Sequence, residues 1–258
     1  MKKAILIVSV GTSEIKALEN TSLRLQEEIA EEFKDYQCYA AFSSQHILDK
    51  MNAQGEIVYK SISETFEQMY QEGIEEVVVQ PTNLLNGLTS DSLLEQIEQN
   101  KERFKKILVG KPLLNTKEDY IKTLQAVLKE VEPENEEAIV LIGHGTSHAV
   151  NNTYQNLEYT AYTAGYRNVF VGTMEGEKSQ RMAFRKLSAS GFKKVHLMPL
   201  LFVAGYHARK DIAAESDSWK SVLEEAGYEV IPRVIGLGEM AGIRAIFMEH
   251  LKTAMEER

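Results

Sequence analysis

The chain has 258 residues, 43% of them hydrophobic and 26% charged, enough for one large domain or two ordinary ones with buried cores. Its formal net charge of -9 argues against nucleic acid or an anionic membrane as the main partner, because both need a positive footprint. A single cysteine, Cys38, excludes an intrachain disulfide and a thiolate metal cluster and is compatible with a reducing compartment.

The N-terminal "MKKAILIVSVGTS" has the lysines and apolar run of a signal peptide. The run is short and lacks a small-x-small cleavage site, so residues 4–10 read as a buried parallel strand. No apolar stretch approaches the roughly 18–20 residues of a membrane span, and a cytoplasmic protein is expected. Apolar periodicity predicts a helix over 21–33, a strand at "QCYAAFSS", and a helix over 55–70. A strand over 77–80, a helix over 93–104, a strand at "KKILVGKPLL" and a helix over 119–131 follow. After the acidic turn "PENEE" the cycle restarts. Strands at "AIVLIGHG", "NVFVGTMEG", "KKVHLMPLLFVAG" and "EVIPRVIGLG" alternate with helices over 154–164, 178–190, 216–226 and 241–256. Such alternation implies an α/β fold with parallel sheets covered by helices on both faces.

The restart is an internal repeat. "AILIVSVGTS" aligns without gaps to "AIVLIGHGTS", so that Val10 falls on His144. "EEVVVQPTNLLNG" aligns to "KKVHLMPLLFVAG", with Pro81 on Pro199 and Gly87 on Gly205. Two blocks matched in the same order predict two similar domains, residues 1–116 and 117–258, each a parallel sheet flanked by helices. Ligands of open α/β sheets bind beyond the carboxyl ends of the strands, so the active site is expected in a cleft between the halves, among the loops that follow strands.

Three such strand ends in the second half offer chemistry. His144 stands between two glycines after "AIVLIG", Glu175 follows "VGTM", and His207 follows Gly205. Two imidazoles and a carboxylate suit a borderline divalent ion such as Co, Fe, Ni or Zn, and imidazoles also accept protons near neutral pH. His148, four residues after His144, suits the same helix face or a support of the loop. His46, His196 and His250 read as structural. The first half carries Val10, Asn83, Asn86 and Leu88 at the compared positions and is expected to supply wall and hydrogen-bond donors. No Walker-type loop, no G-x-G-x-x-G after the first strand and no G-x-S-x-G elbow occurs, so no nucleotide is expected.

"GHGTSH", "VGTMEG" and "MPLLFVAGYHARKDIAAESDSWK" resemble the anaerobic cobalt chelatases of cobalamin synthesis, the CbiK type of class II tetrapyrrole chelatase, over nearly the whole chain. The resemblance implies ATP-independent insertion of Co²⁺ into sirohydrochlorin, a polycarboxylate tetrapyrrole, bound between two chelatase domains. It implies His144, Glu175 and His207 as metal ligands, with His144 and His207 catalytic and the division of ligand from base left open. Fe²⁺, Ni²⁺ and Zn²⁺ are the alternative metals. The alternative functions are a tetrapyrrole or metal carrier and a sirohydrochlorin ferrochelatase. In that fold family the closing helix tends to pack across the halves. A homo-oligomer is an open alternative to a monomer. The sequence departs from the family pattern at Asn83 and Leu88, and at Tyr206, where the family has Asp.

Overall fold

The computed structural model describes residues 1–55, 57–145, 152–175 and 177–257, and at residues 88, 89, 177–179 and 207 the backbone alone. The first sheet is built from β1 (Lys3–Ser9), β2 (Gln37–Phe42), β3 (Glu76–Pro81) and β4 (Lys106–Val109). Between β1 and β2, α1 (Ile15–Leu18) runs through a π-helical turn, Glu19–Leu23, into α2 (Arg24–Glu32). Helices α3 (Gln45–Asn52) and α4 (Ile62–Gln71) lead to β3, and α5 (Leu88–Asn100) leads to β4. After α6 (Lys117–Val131), β5 (Glu137–Gly143), α7 (Asn152–Thr163), β6 (Val169–Thr173), α8 (Glu177–Ser190) and β7 (Lys194–Pro199) follow. Then come α9 (Tyr206–Ala213), α10 (Trp219–Glu225), β8 (Glu229–Pro232) and α11 (Ala241–Glu256).

The strands pair in parallel in the orders β2-β1-β3-β4 and β6-β5-β7-β8. Strands β1 and β5 are central, and nearly every residue in them is buried, which explains their unbroken apolar sequence. The two sheets share one register. Val8 stands opposite Pro81 and Ile142 opposite Pro199, the pairs that the sequence repeat aligns. Beyond the strands the match continues: the Thr82 N–H donates to the Val8 carbonyl at 2.9 Å and the Leu200 N–H to the Ile142 carbonyl at 2.8 Å.

The chain divides into two compact units, residues 1–115 with 241–258, and residues 116–240. The sequence division at 116/117 assigns α11 to the second half. In the structure α11 belongs to the first unit, where it packs on β3 and β4, burying Ile243, Ile246, Phe247 and Leu251. Helix α6, which follows β4 as α11 follows β8, belongs to the second unit and packs on α7. Each half thus gives its last helix to the other.

Several elements differ from the periodicity. The helix expected over 55–70 begins at Ile62, because Ser61 and Glu64 form a capping box there. Before it the backbone is held extended: the Asn52 side chain bonds both the N–H and the carbonyl of Tyr59, and the Phe42 N–H donates to the Lys60 carbonyl. The run "KKVHLMPLLFVAG" is a strand only to Pro199. Its remainder is a loop that bonds to the turn after β8, with the Leu237 N–H on the Leu201 carbonyl and the Gly238 N–H on the Phe202 carbonyl. Helix α9 follows directly. His196 lies within buried β7, and the Nδ1 of His250 on α11 lies 3.2 Å from the Lys111 carbonyl. No helix among the described residues is long and apolar enough to cross a membrane.

Candidate metal centre

In the second sheet β5 lies between β6 and β7, so the three segments that carry His144, Glu175 and His207 leave neighbouring strands. His144 directly follows β5, Glu175 comes two residues after β6, and His207 is the second residue of α9. The side chain of His207 lies outside the described residues, as does His148 altogether.

Backbone hydrogen bonds tie the first two segments together. The Met174 N–H donates to the Gly143 carbonyl at 2.8 Å and the Glu175 N–H to the His144 carbonyl at 2.9 Å. Parallel pairing thereby continues past the strand ends and carries the two side chains out side by side. His144 Nδ1 stands 3.8 Å from Glu175 Oε1, and the side chains are 64% and 66% exposed. Nδ1 also lies 3.1 Å from the Gly145 carbonyl oxygen. A carbonyl only accepts, so in this arrangement Nδ1 carries the proton and Nε2 keeps its lone pair free. A ligating histidine commonly shows this division of labour between its ring nitrogens.

The turn beneath His144 is crowded. Thr173 Oγ1 donates to the Glu175 carbonyl at 2.6 Å, and the hydroxyl of buried Tyr154 accepts from the Gly145 N–H at 3.4 Å. Burial pushes the Tyr154 phenol above its ordinary pKa. Neither residue stood out in the sequence, because a tyrosine or threonine among polar neighbours carries no periodic signal. The Asp217-Ser218-Trp219 stretch proves to be scaffold. Ser218 caps α10, and the buried Trp219 indole packs on β6 at Gly172 and edge-on to Phe184, with ring centroids 5.1 Å apart.

Among the described residues no group of three His, Cys, Asp or Glu side chains gathers around one point; the structure brings together His144 and Glu175. Asn83, a departure from the family pattern, donates its amide to Ser90 Oγ at 3.0 Å and so braces the start of α5. Tyr206 opens α9 with its side chain exposed.

The architecture is that of SirB from Bacillus subtilis, solved with Fe³⁺, at a TM-score of 0.71 and 19% identity over 98% of this chain and 96% of that one. Sirohydrochlorin cobaltochelatase of Salmonella typhimurium is 31% identical over 257 residues, covering 99% of this chain and 97% of its own length. Sirohydrochlorin cobaltochelatase CbiKC of Nitratidesulfovibrio vulgaris is 30% identical over 259 residues, with 98% and 91% covered. The cobalt chelatase (CbiK) family profile matches residues 3–256. By that extent of match, the chain belongs to the cobalt chelatase (CbiK) family.

Proposed function

We infer that this protein is a sirohydrochlorin cobaltochelatase. It inserts Co²⁺ into sirohydrochlorin, releases the two pyrrole protons, and uses no nucleotide. Family membership and the names of the two relatives set the reaction class. The observation that carries the reading to particular residues is the pairing of His144 with Glu175 at 3.8 Å on adjacent strand ends, both exposed.

The chemistry asks for two things. The ion must shed part of its water before the ring nitrogens take it, and each pyrrole N–H must lose its proton. The free Nε2 of His144 either donates to Co²⁺ or accepts a pyrrole proton. The Glu175 carboxylate adds a hard anionic donor and favours a cation on that side of the imidazole. His207, near the start of the helix that follows β7, is the second imidazole in this reading. We assign Co²⁺ as the substrate metal and place the reaction in the cytoplasm.

The test is an absorbance assay of sirohydrochlorin with Co²⁺, Fe²⁺ or Ni²⁺, with and without protein. Acceleration is expected with Co²⁺, and its loss in His144→Ala and in His207→Ala, with circular dichroism unchanged. Unaltered turnover in either variant sinks that residue's assignment. Tight binding of the metallated macrocycle without acceleration would make the protein a carrier.

A further inference from the structure

The end of β5 is built differently from the end of β1. Ser9, the last residue of β1, is buried, and its hydroxyl lies 3.0 Å from Ser22 Oγ and 3.0 Å from Thr82 Oγ1, both of which donate to it. The repeat puts Gly143 at the position of Ser9, with the same register beside it. Gly143 has no side chain, and the ring of Tyr154 from α7 fills the space. A Cβ at Gly143 would lie 2.2 Å from Tyr154 Cε1. The same side chain reaches past His144, where its hydroxyl accepts from the Gly145 N–H at 3.4 Å. Tyr154 therefore touches the residue before His144 and the residue after it, while itself only 8% exposed.

The imidazole of His144 is mostly exposed. What orients it is the Gly145 carbonyl, which takes Nδ1–H at 3.1 Å. Any shift of Gly145 moves that carbonyl and turns the ring. Among the described residues, the strand end in the half with Val10 in place of His144 holds instead a cluster of three small hydroxyls. We propose that Tyr154 is a positioning residue for metal delivery, clamping the Gly143–His144–Gly145 turn so that the Gly145 carbonyl holds His144 with Nε2 free for the ion. This rests on the reading of His144 as a residue that meets the metal.

Tyr154→Phe keeps the ring and removes the acceptor, and Tyr154→Leu removes both. Each is compared with wild type and His144→Ala for Co²⁺ insertion, for the visible spectrum of the Co²⁺-loaded protein, and for thermal unfolding. Partners that orient a metal ligand typically contribute about 10–100-fold in affinity. Tyr154→Phe is expected to raise the KM for Co²⁺ about 10-fold, leave the KM for sirohydrochlorin unchanged and shift the Co²⁺ spectrum, and Tyr154→Leu to do more. Unchanged Co²⁺ KM and spectrum in Tyr154→Phe overturn the clamp, even where Tyr154→Leu unfolds. If His144→Ala abolishes insertion while Tyr154→Phe matches wild type, the clamp alone fails. If His144→Ala behaves as wild type, the metal reading fails and takes the clamp with it.

Discussion

Gly145 lies against the backbone of Glu175: a Cβ on Gly145 would stand 2.7 Å from the Glu175 carbonyl oxygen. Its φ of +87° also belongs to a region that L side chains rarely enter. Gly11, its counterpart after β1, has φ +91°, so the turn is a property of the repeat rather than of the metal site. What differs in the second unit is the use of the turn, which sets His144 and Glu175 side by side. Gly145→Ala is expected to cost about 1–3 kcal/mol from the backbone conformation and to lower the rate of Co²⁺ insertion by pushing the two segments apart. Thermal unfolding and the insertion assay check both. A variant of wild-type stability and rate would show that the turn tolerates a side chain.

Glu175 is exposed, so its removal separates chemistry from folding. Glu175→Gln keeps the shape, removes the charge, and is expected to change stability by no more than about 0.5 kcal/mol. Co²⁺ affinity is expected to fall at least about 10-fold, and insertion with it. Equilibrium dialysis with Co²⁺ measures the first and sirohydrochlorin absorbance the second. Equal affinities would remove Glu175 from the set of ligands.

Most of this fold was legible in the sequence because a strand buried on both faces must be apolar throughout. Strands β1, β5 and β7 announce themselves that way, and the aligned prolines Pro81 and Pro199 place β3 and β7 in one register. The same rule misleads at residues 200–205, where the apolar "LLFVAG" reads as a continuation of β7 and instead forms the loop before α9. Helix α3 is short and polar and gave no period to read. For α11 the apolar face was visible, but the sheet it covers was not, because periodicity reports that a face is buried and never against what. His144 and Glu175 are legible as residues at strand ends, whereas His207, expected at one, lies on α9. Tyr154 was not, since its significance comes from a missing side chain at Gly143.

Acid stability provides a test far from the metal centre. Glu137, at the start of β5, is buried, lies 2.8 Å from His196 Nε2, and accepts from Lys194 Nζ at 2.6 Å and the Glu134 N–H at 3.0 Å. Arg233 Nε donates to His196 Nδ1 at 3.1 Å, which leaves the ring proton on Nε2, directed at Glu137. The bond from His196, then that from Lys194, holds the Glu137 carboxyl down from 4.5 to about 2. A carboxyl held low stabilises the fold above its ordinary pKa, and that contribution is lost as pH falls through the window. Wild type is therefore expected to lose unfolding free energy between pH 4.5 and about 2, and Glu137→Gln to lack that part of the loss. Parallel curves for the two proteins over this range would show that the carboxylate contributes nothing.

The exchange of terminal helices makes the sharpest claim about the architecture. Ile243, Ile246, Phe247 and Leu251 of α11 are buried in the first unit, where the helix covers β3 and β4. Arg244 Nε pairs with Glu28 Oε2 at 2.9 Å and Lys252 Nζ with Glu32 Oε1 at 2.6 Å, fastening the same helix to α2. At about 1.5–3 kcal/mol for each large apolar side chain, the four contribute about 6–12 kcal/mol. A domain's net stability is only about 5–15 kcal/mol, so the first unit is not expected to remain folded without a helix encoded at the far end of the chain. A protein ending at Met240 is expected to lose amide-exchange protection in β1–β4 and to keep it in β5–β8, whose unit still holds α6 against α7. A synthetic peptide of residues 241–258 should restore the lost protection. Full protection of β3 and β4 in the shortened chain would mean that the first sheet is complete without α11.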